Sequence, residues 1–292
     1  AVQGAAGRKL TALRPKRPPM RTHTVSRPDG PAIHVAESGP SDAPAVLFVH
    51  GYSQSHLCWR GQLRSSLADR YRLVAMDLRG HGDSEKPPSG YADSEAWADD
   101  VQAVADALSL DSFALVGWSY GSLVALDYLA VHGTDRVRGA NLVGIVLGIG
   151  TPQTNEWLGQ QYVDLFPEIV STDAETATAA LDRFVRICFH DAPSPEERYL
   201  LLGVNAAVPP SVRDAMRDRE VSHLDALDDL TIPVLLTHGA HDAVVDPDAA
   251  RAAAERLPDA ELSIYPDAGH SPFRESIDRY NRELASFLDG LD

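Results

Sequence analysis

The sequence predicts an α/β protein with a mostly parallel eight-stranded sheet, helices on both faces and an inserted helical cap. Short apolar runs of strand length alternate with segments of helical spacing along most of the chain. One irregular stretch of about 70 residues interrupts this alternation and is too long for a plain connection. The chain has 292 residues, enough for one substantial core beneath such a cap.

The first part of the chain predicts the start of the sheet. Two short strands, 22–27 and 32–38, flank a Pro-Asp-Gly turn, which favours an antiparallel pair. The apolar runs AVLFVHG (45–51) and YRLVAMDL (71–78) follow as buried strands. Between them, 57–70 has helical spacing, so we expect a helical crossover there.

The middle of the chain continues the alternation. The segment 94–110 is strongly helical, with Ser94 as the expected N-cap. The apolar run SFALVGW (112–118) predicts a strand, and 119–132 predicts the helix that follows it. A further apolar run, ANLVGIVLG (140–148), predicts the next strand before the pattern changes.

The last part returns to the sheet. The run IPVLLTHG (232–239) predicts a strand, and Asp246-Pro247 predicts a helix start with Asp as cap and Pro in the first turn. The segment 261–270 predicts the last strand and its loop, and Ser271-Pro272 opens the closing helix. The predicted domains are therefore a core of 20–150 and 221–292, a helical cap of 151–220, and a disordered leader or extension of 1–19.

Charge and composition exclude several classes of protein. Lys and Arg together number 26 against 42 Asp and Glu, a formal net charge of −16, which disfavours nucleic acid and anionic membranes as partners. Only three lysines occur, and a GC-rich genome explains the use of arginine in place of lysine. The scarcity of lysine together with the excess of acidic residues also resembles the composition of proteins from salt-loving organisms. No run of about 18 apolar residues predicts a membrane span, and the basic N-terminus lacks the apolar segment of a secretory signal. We therefore expect a cytoplasmic protein, of undetermined oligomeric state.

The pentapeptide Gly-Trp-Ser-Tyr-Gly (117–121) indicates a nucleophilic serine. It fits G-x-S-x-G between a strand and a helix, a turn that pushes the hydroxyl of Ser119 out of the core. The helix start directs free N–H groups to the same place, which suits a nucleophile whose reaction forms an oxyanion. The competing interpretation is a tight turn in which Ser119 only caps its helix.

A serine nucleophile needs a base and an orienting acid. Among 11 histidines, His270 is the candidate base, because it stands in a glycine-containing loop after the last strand. His238 lies in a strand, where a buried core histidine is the simpler interpretation. Asp242 directly follows the strand 232–239 and is the candidate acid. The order Ser119, Asp242, His270 is the Ser…Asp…His order of one fold family. Cys58 and Cys188 are too far apart for a metal-ligand cluster, and we expect neither metal nor organic cofactor.

Five segments together resemble the α/β-hydrolase family, in its serine esterase and cofactor-free haloperoxidase (perhydrolase) branch. They stand in family order: HGYSQS (50–55), DLRGHGDS (77–84), the pentapeptide around Ser119, GAHDAVV (239–245) and AGHSPF (268–273). The resemblance implies an oxyanion hole formed by the backbone N–H groups of Tyr52 and Tyr120. It disfavours haloalkane dehalogenases and soluble epoxide hydrolases, which have Asp at the position of Ser119.

The predicted function is hydrolysis of a small-molecule carboxylic ester by Ser119, His270 and Asp242 through an acyl-enzyme. Lactonases, C–C bond hydrolases and perhydrolases share this triad and stay open as alternatives, as does a ligand receptor or binding scaffold on the same fold. We expect a small to medium, largely apolar substrate, because the candidate substrate-lining side chains are aromatic. These side chains would also pack equally well as plain core: Tyr52, Trp157, Tyr162, Phe166 and Phe184.

Overall fold

The computed structural model describes residues 20–291, so the predicted leader, 1–19, lies outside the described residues. The strands, in chain order, are β1 (Arg21–Val25), β2 (Ile33–Ser38), β3 (Ala45–Val49), β4 (Arg72–Met76), β5 (Phe113–Trp118), β6 (Val137–Val143), β7 (Gly148–Ile149), β8 (Val221–Ser222), β9 (Val234–Gly239) and β10 (Ala260–Tyr265). The helices are α1 (Arg60–Leu63), α2 (Ser94–Ala107), α3 (Tyr120–His132), α4 (Pro152–Asn155), α5 (Gln160–Ile169), α6 (Ala174–Ile187), α7 (Pro195–Ala206), α8 (Pro210–Ala215), α9 (Asp248–Arg256), α10 (Pro272–Glu275) and α11 (Ile277–Asp289).

Eight of these strands form one sheet in the order β1-β2-β4-β3-β5-β6-β9-β10. The pairs β1–β2 and β2–β4 are antiparallel and the other five pairs are parallel. The short strands β7 and β8 pair separately. The prediction of a mostly parallel eight-stranded sheet that begins with an antiparallel pair is confirmed.

Helices cover both faces of the sheet because the central strands are apolar on both sides. In β3, Leu47 and Val49 pack into the cluster that contains α2 and α3. Their neighbours Val46 and Phe48 pack into a second cluster with α11 and Trp59. This alternation follows from the two-residue period of a strand and explains why the run 45–51 is continuously hydrophobic.

The predicted helix at 57–70 differs in the structure, and serine side chains explain the difference. The segment 57–70 is broken into 3-10 turns around the short α1, since Ser55 Oγ accepts from Leu57 N at 3.3 Å and Ser65 Oγ from Leu67 N at 3.1 Å. Such local bonds compete with a continuous helix.

The N-cap of α2 is Asp93 and not Ser94, so that prediction is wrong. The Asp93 carboxylate accepts from Glu95 N at 3.0 Å, while Ser94 Oγ accepts from Arg219 Nη2 at 2.8 Å. The serine hydroxyl is therefore engaged in a long-range contact.

The closing helix of the prediction consists of two helices in the structure, α10 and α11, which are interrupted at Ser276.

Helices α4–α8 lie between β7 and β8, and a buried ion pair joins the end of this segment to the sheet domain. Arg219 Nη2 lies 2.7 Å from Asp127 Oδ2 on α3, and both side chains are completely buried. His223 Nε2 lies 2.8 Å from Asp127 Oδ1. Removing either partner of such a pair would leave an uncompensated buried charge, so the contact fixes this segment to the helix that follows Ser119.

The carboxyl ends of the parallel strands bring the candidate site together. Gly51 follows β3, Ser119 follows β5, Gly144 follows β6, Asp242 follows β9 and His270 follows β10. In open α/β sheets this edge is where ligands bind. In the part of the chain that the structure describes, no helix combines the length and the apolar character needed to cross a membrane.

Candidate active site

Ser119 occupies a backbone conformation that few non-glycine residues adopt. Its φ is 55° and its ψ is −122°, and its N–H donates to Val143 O at 2.8 Å. A Cβ on Gly117 would lie 2.5 Å from Gly121 O, and one on Gly121 would lie 2.3 Å from Val49 O. Both glycines of the pentapeptide are therefore required by the close approach of backbone, as the motif predicted.

His270 and Asp242 form a hydrogen-bonded pair. His270 Nδ1 lies 2.7 Å from Asp242 Oδ2, and the two side chains are 2% and 0% exposed. Because a carboxylate can only accept, His270 carries its proton on Nδ1 in this pair. In the neutral ring Nε2 is then the free base, which is the tautomer that general-base catalysis by histidine requires.

The Asp242 carboxylate is held ionised. Burial opposes its ionisation, but the charge of His270 and hydrogen bonds from His238 and His270 outweigh burial and keep the pKa of Asp242 well below its usual range. Its Oδ1 also accepts from Val244 N at 2.8 Å and Val245 N at 2.9 Å. These donors fix the carboxylate against rotation and keep Oδ2 directed at His270.

His238 is a second histidine on the same carboxylate oxygen. Its Nε2 lies 3.0 Å from Asp242 Oδ2 and 3.0 Å from Val245 O, two acceptors, so the ring is protonated on Nε2. Its side chain is completely buried, in agreement with the predicted core position, but its contact with Asp242 was not foreseen. The i, i+4 spacing of His238 and Asp242 across the strand end was the available signal. His241 instead stacks on His190 with ring centroids 4.0 Å apart.

Ser119 and the His270 ring both lie against the end of β6. Ser119 N donates to Val143 O, and the next residue, Gly144, approaches the ring so closely that a Cβ on it would lie 3.0 Å from His270 Nδ1. Trp118 Nε1 donates to His270 O at 2.7 Å, which ties the residue before the serine to the histidine backbone. Trp118 thus links the nucleophile turn to the loop that carries His270.

The predicted oxyanion donors belong to two segments that adjoin Ser119. Gly51 approaches so closely that a Cβ on it would lie 3.1 Å from Ser119 Cβ, which places the next amide, Tyr52 N, beside the serine. Tyr120 N opens α3 directly after it. Within residues 20–291, neither amide donates to a protein acceptor. Both are available to a negatively charged oxygen.

Two buried histidines hold the loop that carries Tyr52. His50 accepts from Leu78 N through Nε2 at 3.0 Å, and His81 accepts from Ser53 N through Nε2 at 3.2 Å. Burial lowers the pKa of His50 to about 4 and that of His81 to about 3, so both are neutral at neutral pH. The segments 50–55 and 77–84 are therefore joined by fixed neutral imidazoles.

Four of the five predicted substrate-lining aromatics form one cluster. The Tyr52 ring lies 6.4 Å from Tyr162, 6.0 Å from Phe166 and 6.2 Å from Phe184. The Tyr52 hydroxyl donates to Arg213 O at 3.1 Å. Trp157 makes no ring contact with this cluster in the described part of the chain, and its carbonyl accepts from Asp246 N at 2.7 Å.

One group of potential metal ligands occurs among residues 20–291: His34, His56 and Asp77, whose ligand atoms lie within 4.8 Å of one another. His34 Nδ1 lies 3.0 Å and His56 Nδ1 2.9 Å from the Asp77 carboxylate, which also accepts from Asp83 N at 3.0 Å. The carboxylate is satisfied by these hydrogen bonds and ties neighbouring turns together. It is not part of the predicted triad.

Comparison with known proteins adds to this geometry. The family model for the alpha/beta hydrolase fold matches residues 44–276. The chain belongs to this family. The expected fold and resemblance are thereby confirmed.

This alpha/beta hydrolase is 38% identical to the crystal structure of an esterase, RhEst1 from Rhodococcus sp. ECU1013, with a TM-score of 0.87 over 94% of this chain and 99% of that one. It is 29% identical over 273 residues to a non-heme chloroperoxidase of Streptomyces lividans, covering 91% of this chain and 99% of the relative. It is 28% identical over 284 residues to the bifunctional esterase/perhydrolase DCH of Acinetobacter calcoaceticus, covering 90% and 98%.

Proposed function

We propose that this protein is a serine hydrolase that cleaves carboxylic esters of small to medium, largely apolar substrates through an acyl-enzyme intermediate. The observation that carries the proposal is the convergence, at one edge of the sheet, of the Ser119 turn with the hydrogen-bonded pair of His270 and Asp242. The 38% identical esterase structure supports the same reaction class.

The first half of the cycle forms the acyl-enzyme. Ser119 Oγ attacks the ester carbonyl while His270 Nε2 takes the hydroxyl proton, and the amides of Tyr52 and Tyr120 bind the oxyanion that develops. Collapse of the tetrahedral intermediate breaks the bond to the alcohol oxygen, which His270 protonates. The alcohol then leaves and the acyl group stays on Ser119.

The second half releases the acid. Water enters, His270 Nε2 removes its proton, and the hydroxide attacks the acyl carbonyl in the same oxyanion hole. Asp242 stabilises the imidazolium in each half and keeps the Nδ1–H tautomer, which its low pKa allows throughout. Each step uses a side chain or amide of this chain, so the proposal requires neither metal nor organic cofactor.

The substrate pocket in this proposal lies under a cap of residues 151–220. The cluster of Tyr52, Tyr162, Phe166 and Phe184 joins two cap helices to the loop after β3, next to the oxyanion donor. Its aromatic surface favours an apolar acyl or alcohol group. The proposed partner is a small-molecule ester, and the proposed location is the cytoplasm.

Perhydrolysis is the second candidate, because the relative from Acinetobacter calcoaceticus is named both an esterase and a perhydrolase. In that reaction hydrogen peroxide replaces water in attacking the same acyl-enzyme and releases a peracid. Lactones and C–C substrates would use the same residues. A panel of p-nitrophenyl esters of increasing chain length, lactones, and esters with added peroxide separates these activities.

The decisive test is the rate of p-nitrophenyl butyrate hydrolysis by Ser119→Ala. We expect a loss of at least 10³-fold without loss of the folded state, since removing a triad member leaves only binding and oxyanion stabilisation. Ser109→Ala, at an exposed serine that also has a positive φ of 53°, is the matched control and should keep its rate. Ser119→Ala activity within tenfold of wild type would overturn the proposal; a wild type that binds esters without turnover would favour a receptor.

A further inference from the structure

A small cavity of about 10 Å³ lies between the inserted helices and the candidate site. Three of its lining residues carry a buried polar atom that has no hydrogen-bond partner within residues 20–291: Gln54 Oε1, Asn205 Oδ1 and Ser271 Oγ. These residues are 4%, 0% and 1% exposed. Buried polar atoms are nearly always paired, so three unpaired ones around a single cavity indicate a ligand.

The cavity is lined by residues that are close in sequence to three predicted parts of the reacting centre. Gln54 stands two residues after Tyr52, Trp118 directly precedes Ser119, and Ser271 directly follows His270. All three line the cavity. A group bound there is therefore next to the segments that carry the oxyanion donor, the nucleophile and the base.

The free polar atoms define what the cavity accepts. Asn205 Nδ2 donates to Leu201 O at 2.8 Å, which leaves Oδ1 as a fixed acceptor. Gln54 Oε1 is a second acceptor, and the Ser271 hydroxyl can accept or donate. The set is rich in acceptors, so it favours a ligand that donates hydrogen bonds.

The lining also favours an uncharged group. Arg274, the one charged residue that residues 20–291 contribute to the lining, is committed to Glu197 at 2.7 Å and to Cys58 O at 2.8 Å. Burial raises the pKa of the Cys188 thiol well above its usual range, so that side chain is uncharged. The remaining wall is apolar and includes Phe184 and Leu201. A volume of about 10 Å³ suits one group the size of a water molecule.

We propose that this cavity is a subsite for a single hydroxyl-sized, neutral hydrogen-bond donor: a hydroxyl group of the substrate, or a water molecule that stays there when the substrate has none. The inference rests on the proposed ester hydrolysis and adds that the site accepts, and favours, esters with a hydroxyl near the scissile bond. The polar atoms of Gln54, Asn205 and Ser271 are its recognition groups.

The kinetic arm compares isosteric esters in which a methyl replaces the hydroxyl. The acyl pair is p-nitrophenyl 3-hydroxybutyrate and p-nitrophenyl 3-methylbutyrate; the alcohol pair is 2-hydroxyethyl butyrate and propyl butyrate. In the wild type we expect kcat/KM to favour the hydroxy ester by about tenfold in one pair, the effect of one additional neutral hydrogen bond. In Gln54→Met that ratio should fall to near one, and Ser271→Ala gives an independent reading if Gln54→Met does not fold. Gln160→Met makes the same change on the exposed surface of α5 and should keep the wild-type ratio.

The crystallographic arm identifies the source of the donor. A crystal structure of the wild type that shows an ordered water within 3.2 Å of at least two of the three polar atoms, together with a kinetic ratio near one, assigns the subsite to water. A ratio near one with no such water overturns the proposal. If the wild type hydrolyses none of the four esters, the proposed function fails, while the crystallographic arm still tests the subsite.

Discussion

Replacing Ser119 with glycine removes the hydroxyl and relieves the backbone at the same position. Ser119 has φ 55° and ψ −122°, a conformation that only glycine adopts without cost. The strand β5 and the helix α3 impose it, because the turn between them has no residue to spare. Ser119→Gly and Ser119→Ala are both expected to be inactive, so a difference in their stability reports the backbone alone.

The magnitude follows from two opposing terms. A non-glycine residue in a sparsely populated region costs about 1–3 kcal/mol, which Ser119→Ala keeps and Ser119→Gly loses. Glycine in turn destabilises the folded state by about 0.4–1 kcal/mol through the greater freedom of the unfolded chain. Ser119→Gly should therefore be about 1–2 kcal/mol more stable than Ser119→Ala, or roughly 2–4 °C in Tm for a chain of this size.

The assay is urea denaturation of both variants, monitored by circular dichroism. A matched pair at Ser286, which is exposed within α11, gives the opposite order, since glycine inside a helix costs about 1 kcal/mol relative to alanine. Equal midpoints for the two Ser119 variants, or a less stable glycine variant, would refute the claim that this turn is maintained against its own backbone preference.

Three further predictions concern other parts of the site and the surface. His238→Leu removes the N–H that lies 3.0 Å from Asp242 Oδ2 and so leaves more negative charge facing His270, which should move the acid limb of the kcat/KM profile about one pH unit upward. His238→Gln keeps a hydrogen-bond donor and is the control. An unmoved acid limb in the leucine variant would contradict the influence of His238 on the Asp242 carboxylate. The lowered pKa values of His50 and His81 mean that these groups bind protons only on unfolding, so the free energy of unfolding should fall as the pH drops from about 6.5 to about 5. His34, whose pKa its hydrogen bond to Asp77 raises, is protonated in both the folded and the unfolded state over most of this window and contributes little there. His50 and His81 each contribute up to about 1.4 kcal/mol per pH unit, so the slope approaches about 2.7 kcal/mol per pH unit; urea midpoints independent of pH in this window would contradict it. The net charge of −16 predicts that the urea midpoint rises as KCl is increased to 1 M, where the Debye length is about 3 Å, and full stability in dilute buffer would speak against a salt-adapted surface.

The sequence was sufficient for the sheet and for the sheet edge at which the candidate residues lie. Apolar runs determine which segments are central strands, and parallel strands end at one edge, so residues directly after them must meet. Asp242 and His270 are 28 residues apart and bond at 2.7 Å for this reason. The pentapeptide around Ser119 carries its own steric requirement for glycine.

Contacts that depend on long-range packing were not predictable. The pair of Arg219 and Asp127 joins positions 92 residues apart, and no local pattern marks either as buried. The same contact draws Ser94 away from its expected capping role. His238 was correctly placed in the core, but its contact with Asp242 depends on the path of the loop after β9. Local hydrogen bonds of Ser55 and Ser65 likewise override the helical spacing of 57–70.

The central claim is that His270 and Asp242 activate Ser119. A fluorophosphonate probe followed by peptide mass spectrometry tests it directly, because the probe reacts only with an activated serine. We expect one adduct, on Ser119, whose formation slows by at least 100-fold in His270→Ala. An adduct on another residue, or labelling of Ser119 at an equal rate without the imidazole, would contradict the account.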